Sequence, residues 1–225
     1  MSSDPYDYIG DISSNNFTNY FVDTTNNTVS FKLLNSDSIT FLDNYVSQVN
    51  VTIVGGGGGG GGGGHDNGNS SNPYPKYPSG GGGGAGGAGT YTFVPDSSNT
   101  YVYSIGSGGG KGIGNNSGGL GGPTTITSSN NPSFLTATGG GYGHAHFSGN
   151  GPSAGGTVTY DASCTQVVLA SGGGGGSGVR ISNIPGQGTS GTDTTPTNLV
   201  IYENNSIIIG GGGGGANATD PNKPP

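Results

Sequence analysis

The chain has 225 residues, of which 53 are glycine and 8% are charged, with no tryptophan and a net charge of −7. Glycine is present at about three times its usual share, and charge at about a third of its own. With 28% hydrophobic residues and no basic patch, the composition argues against a large conventional core, nucleic-acid binding and a basic membrane-surface helix.

The start, Met1-Ser2-Ser3-Asp4-Pro5-Tyr6, lacks the charged and apolar stretches of a signal peptide. No apolar run reaches the roughly 18 residues of a membrane span. Residues 1–50 are polar and nearly free of glycine. Within them, Thr28–Leu33 alternates as a strand does, and Ser38–Leu42 is a second predicted strand. The segment reads as an N-terminal arm or small β docking module.

From residue 51 a unit recurs, in which a β-rich segment runs directly into glycines. Val51–Val54 enters glycines 55–64, Tyr101–Ile105 enters Gly106, and Phe134–Thr138 enters Gly139. Gln166–Ala170 reaches Gly172 through Ser171, and Ser206–Ile209 enters Gly210. Return strands follow second glycine runs at Thr90–Val94, Thr124–Thr127 and Thr157–Tyr160. Polar turns such as Pro95–Asn99 and Ser128–Pro132 separate the units. If each loop reverses the chain, the strands and turns lie at one end. The loops 65–79, 113–117, 144–148 and roughly 179–196 then gather at the other. Residues 216–225, ending Asn222-Lys223-Pro224-Pro225, read as an exposed tail.

Ordering a glycine costs roughly 1–2 kcal/mol, so order needs a specific compensation. Extended threefold helices packed side by side supply one, because their outward N–H and C=O groups bond neighbouring helices at about 0.5–1.5 kcal/mol each. The expected fold class is therefore mostly β and irregular. It is a bundle of polyglycine II helices over residues 51–215, capped at one end by short β-strands. Ala85 and Ala88, three apart, fit one outward face of such a helix.

Chemistry is sparse. Gly106–Gly112 misses the phosphate-loop pattern, because Ile105 and Gly112 stand where Gly and Ser or Thr are needed. The single Glu203 argues against carboxylate-pair chemistry. The lone Cys164 has no disulfide partner, and the glycosylation-like Asn16, Asn50 and Asn217 triplets read as chance in so Asn-rich a chain. No catalysis and no cofactor are expected. His144 and His146 have the one metal-like spacing, and a trimer would be needed to complete a site. Tyr74, Lys76 and Tyr77, Tyr142 and Phe147, and Arg180 stand where glycine stops, and are the expected partner-contact residues.

The sequence Ser38–Phe41, then Val49–Val54 and ten glycines, resembles the glycine-rich domain of virion proteins. Such proteins include bacteriophage tail-fibre proteins and tip adhesins, and glycine-rich proteins of giant DNA viruses. Tyr103–Gly109 and Leu135–Gly141 match recurring phrases of the same family. The resemblance covers residues 38–215 and implies a polyglycine sandwich with receptor-binding loops at one end. The first 37 residues have no counterpart in it. The functional expectation is a virion structural protein: a fibre, adhesin or minor capsid component assembled in the host cytoplasm. Its partners would be other virion proteins, a host receptor or glycan, and further copies of itself, with no nucleic acid and no membrane span. An extracellular ice-binding or surface-adhesion protein is the alternative, although Thr is expected to cluster at strand ends. A disordered glycine-rich linker is the second alternative.

Overall fold

The structure is a computed structural model that describes residues 9–10, 17–23, 28–33, 35–41, 46–63, 80–114, 116–145, 153–170, 174–175, 199–202 and 205–207. Among them, all regular secondary structure is β. In chain order the strands are β1 (Ile9–Gly10), β2 (Phe17–Asp23), β3 (Thr28–Leu33), β4 (Asp37–Phe41), β5 (Val49–Val54), β6 (Ala88–Phe93) and β7 (Thr100–Ser104). They continue with β8 (Thr124–Ser128), β9 (Asn131–Ala137), β10 (Val158–Tyr160), β11 (Thr165–Ala170), β12 (Leu199–Tyr202) and β13 (Asn205–Ile207).

These strands form a six-stranded sheet, β1-β4-β7-β8-β9-β10, and a three-stranded sheet, β11-β6-β5. Two further hairpin pairs are β2-β3 and β12-β13, and every pairing is antiparallel. Strands β1 and β4, from the 1–50 segment, belong to the larger sheet.

Side-chain alternation explains how the sheets face one another. On β7, Tyr101 and Tyr103 are buried while Val102 and Ser104 are exposed, the period-2 pattern of a half-buried strand. The inward rows carry Ile39 and Phe41 of β4, Leu135 and Ala137 of β9, Ile53 of β5, and Tyr91 and Phe93 of β6. Together with Tyr101, Tyr103, Phe134 and Cys164 they make one core between the two sheets. Phe93 stands at its centre, with ring centroids 5.0 Å from Phe134, 5.3 Å from Tyr101 and 6.5 Å from Phe41. Burial raises the pKa of the Tyr91 hydroxyl, and this oxygen has no hydrogen-bond partner. Burial likewise pushes the Cys164 thiol up, with the Asp161 charge acting in the same direction. That makes Cys164 a core side chain and not an activated nucleophile.

This architecture corrects the expectation of a bundle of polyglycine II helices capped at one end by strands. The regular structure is two antiparallel sheets, and no helix occurs among the described residues. The reason is where burial can occur. Apolar stabilisation comes through side chains, and the core side chains stand on strands, apart from Cys164 in the turn before β11. Ala88 is likewise no outward-facing residue; it opens β6 and is fully buried.

The turns between strands are held by short polar side chains. Asp96 accepts from the Ser98 hydroxyl at 2.7 Å and its amide at 2.9 Å. Asp161 accepts from the Ser163 hydroxyl at 2.6 Å, the Ser163 amide at 2.8 Å and the Asn131 side chain at 2.7 Å. The Ser129 hydroxyl and the Asn130 amide both donate to Asn99. The Ser163 hydroxyl is the chief cause of a lowered Asp161 pKa, and the Ser98 hydroxyl does the same for Asp96. A carboxyl with a depressed folded pKa binds its proton more readily in the unfolded chain. Its contribution is present above the unfolded value, near pH 4, and is lost as pH falls through the folded one. The melting temperature is therefore expected to drop on acidification below about pH 4, and less steeply in Asp161→Asn. Identical acid profiles for parent and variant would remove Asp161 from this account.

Candidate functional site at the far end of the glycine runs

The glycine runs leave the strands on the side opposite these turns and bond one another through their backbones. Gly55, Gly58 and Gly61 donate to the carbonyls of Gly87, Gly84 and Gly81, at 2.8 Å each. Gly56, Gly59 and Gly62 donate to Gly122, Gly119 and Asn116, at 2.9 Å each. Carbonyls of the same run accept from two further runs, Gly57 and Gly60 from Gly109 and Gly112, and Gly56 and Gly59 from Gly140 and Gly143. Run 55–63 is thus flanked by four others, with every ladder stepping by three residues. Where the runs meet the sheets, buried Thr124 joins both. Its hydroxyl donates to Val54 O at 2.6 Å and accepts from Gly106 N at 3.0 Å.

Following the ladders outward leads to one rim. Run 106–113 reverses at Ile113–Asn116, where Asn116 N donates to Ile113 O at 3.2 Å and Gly114 adopts a φ of 59°. That left-handed conformation suits glycine and strains other residues. The turn lies beside Gly62, whose amide bonds Asn116 O. Gly81 N bonds His144 O at 2.9 Å, and Ala145 N bonds the Ser117 hydroxyl at 3.1 Å. Segments far apart in sequence therefore meet here: Gly62, Gly81, Asn116, Ser117, His144 and Ala145.

Of the expected contact residues, Tyr142 is in this region. It is partly exposed, and its ring meets that of His144 edge-on at 5.0 Å. Tyr74, Lys76, Tyr77, His146, Phe147 and Arg180 lie outside the described residues. No cluster of three metal-ligating side chains occurs among the described residues. Sequence reasoning missed Lys111, Ile113 and Leu120. All three are exposed, Ile113 to 69% and Leu120 to 66%. They sit on runs bonded to each other through Gly119 N–Gly110 O, and to the Tyr142 run through Gly118 N–Gly143 O. The available signal was their size. Where backbones pack this closely, a large residue inside a glycine run can only stand on its outside.

A different array covers the outer face of the six-stranded sheet. The registers place Ser104, Thr125, Thr136 and Thr159 opposite one another across β7, β8, β9 and β10. Ser38, Val102 and Thr127 make a second row, and Thr40 pairs with Thr100. Thr is therefore not confined to strand ends, contrary to expectation. Adjacent hydroxyls in such a row are set by the strand spacing, about 4.8 Å.

Residues 35–223 match a family model described as a glycine-rich domain. No curated protein matches the chain.

Proposed function

The chain belongs to the glycine-rich domain family, and from that premise we propose that it is a virion structural protein, a fibre, adhesin or minor capsid component that presents a contact rim on a stiff frame. The convergence at the rim carries this reading. Gly62, Gly81, Asn116 and His144 are held together by backbone bonds. In sequence, segments 64–79 and 146–152 adjoin Gly63, Gly80 and Ala145, and they contain Tyr74, Lys76, Tyr77 and Phe147. Loops brought together on a rigid scaffold form a variable binding surface, and aromatic anchors supply most of the energy in such contacts. Exposed Tyr142, Ile113 and Leu120 extend the same apolar character onto the described runs.

The test begins with a protein inventory of purified particles, which is expected to contain this chain. Residues 73–78 are then replaced by Ser and Gly at equal length, and in a second variant Ile113 and Leu120 become Ser. Folding is expected to survive in both, while attachment or incorporation falls by about tenfold or more. Absence from particles, or unchanged incorporation and attachment in both folded variants, would reject the reading.

A second reading, an extracellular ice-binding protein, is favoured by the threonine and serine rows on the six-stranded sheet. These rows set uncharged hydroxyl and methyl groups at the regular strand spacing, an arrangement that suits ordered water. Inhibition of ice recrystallisation by the purified protein, lost in Thr125→Lys, would support this reading over the first.

A further inference from the structure

Run 55–63 has three rows of backbone N–H groups, one for each residue of its three-residue repeat. The Gly55 row is taken by run 80–87 and the Gly56 row by run 116–122. The third row, Gly57 and Gly60, donates to nothing among the described residues. Gly57, Gly60 and Gly63 are all exposed.

Steric room separates this row from the other two. A Cβ added at Gly58 or Gly59 would overlap the carbonyl of Gly141 or Gly110. Among the described residues it would meet only Gly84 O at 3.9 Å at Gly57, and only Gly81 O at 3.6 Å at Gly60, both ordinary contacts. Packing among the described residues therefore does not require glycine at 57 and 60. An alanine at such positions would meet no clash and would restrict the unfolded chain, so fold stability alone gives no reason for glycine there. Glycine at a position with room marks the close approach of another backbone.

The neighbouring run supplies the complement. Gly108 flanks the strip, its Cβ position 3.8 Å from Gly57 O. The carbonyls of Gly108 and Lys111, also three residues apart, accept no hydrogen bond from the described residues, and both residues are exposed. A row of open donors and a row of open acceptors with the same three-residue step thus lie side by side on adjacent parallel runs.

We infer that this strip is a self-association surface, on which the Gly57 and Gly60 amides of one copy bond the Gly108 and Lys111 carbonyls of a second copy, and reciprocally. Donor and acceptor rows on one patch make it self-complementary, as a two-fold interface requires. No described charged side chain other than Lys111 belongs to the rows, so the acidic net charge is not concentrated there. The surface meets the rim at Lys111 but uses that residue's backbone carbonyl and not its side chain, and it is distinct from the threonine face.

Sedimentation equilibrium on the full chain tests it. The parent is expected to form a concentration-dependent dimer. The double variant Gly57→Ala/Gly60→Ala should melt like the parent at high dilution, with its dimer dissociation constant weakened by about tenfold or more. A parent that stays monomeric at every concentration, or a folded double variant that associates as the parent does, overturns the proposal. Amide exchange in the unsubstituted protein gives a readout that needs no variant. Protection at Gly57 and Gly60 should rise with concentration, while Gly58 and Gly59 are protected throughout. Fast exchange at Gly57 and Gly60 at all concentrations overturns it.

Discussion

Alanine at Gly59 is expected to unfold or severely destabilise the protein, while alanine at Gly60, one residue on, leaves the melting temperature of the diluted protein unchanged or slightly raised. The two glycines are indistinguishable in sequence, each inside a run of ten. A Cβ at Gly59 would overlap the Gly110 carbonyl oxygen, with the carbonyl carbon at 2.6 Å and Gly109 O at 2.8 Å. Those atoms are backbone and cannot rotate away. Run 106–113 is itself tied to run 55–63 through Gly109 N–Gly57 O and to run 116–122 through Gly119 N–Gly110 O. Displacing it would break several such bonds, each with a net worth of about 0.5–1.5 kcal/mol. The loss should therefore reach several kcal/mol, in the range of severe core lesions. At Gly60 the nearest atom of another described segment, Gly81 O, is 3.6 Å from the Cβ position. Gly56→Ala and Gly62→Ala should behave like Gly59→Ala, and Gly57→Ala like Gly60→Ala. Thermal melting of the five variants checks the pattern. A uniform response along the run would mean that neighbours do not dictate glycine there.

That alternation of tolerant and intolerant positions is invisible in the sequence, because ten identical letters carry no phase. Only the neighbouring runs, which come from residues 80–87, 106–113, 116–122 and 138–144, supply it. The strands were legible for the opposite reason. Thr28–Leu33, Val51–Val54, Tyr101–Ser104 and Thr124–Thr127 alternate within a few residues, a local signal that needs no partner. β2 escaped notice because Phe17, Tyr20, Phe21 and Val22 put large residues on both alternating sets. The division into two sheets was also hidden. β6 pairs with both β5 and β11, while β4, on the other side of β5 in the chain, pairs with β7. These are long-range choices made by the aromatic core, and composition weighted the glycines above it. The rim was partly legible, since reversal at each loop implied it. Its exposed Lys111, Ile113 and Leu120 were less legible, because each is a single large residue inside a glycine run and not part of a loop.

Phe93→Ala is expected to cost about 3–5 kcal/mol, the usual range for emptying a buried aromatic site. Phe93 ends β6 in the three-stranded sheet, yet its ring partners Phe41, Tyr101 and Phe134 stand on β4, β7 and β9 of the six-stranded one. It bridges the sheets with three ring contacts, edge-on to Phe41 and Phe134 and tilted to Tyr101, while Tyr91 of the same strand makes one more, to Tyr160 of β10 at 4.8 Å. Such pairs add about 0.5–1.5 kcal/mol each beyond the area they bury. The remaining rings cannot close the gap, because Tyr101 is already committed to Phe41 and Phe134 at 5.6 and 5.5 Å. A domain of this size has about 5–15 kcal/mol of stability in all, so the loss should show as a large fall in melting temperature. Phe93→Leu, which keeps most of the apolar volume, should cost much less. The consequence reaches the far end of the molecule, because the runs that pack against one another start from different sheets. Run 55–63 leaves β5 of the smaller sheet, and run 106–113 leaves β7 of the larger. If the sheets separate, the Gly109 N–Gly57 O and Gly112 N–Gly60 O bonds should open with them. Amide exchange at Gly109 and Gly112 in Phe93→Ala should therefore accelerate together with that of the β6 and β7 amides. Loss of protection in the strands alone, with Gly109 and Gly112 still protected, would show that the runs hold together independently of the aromatic core.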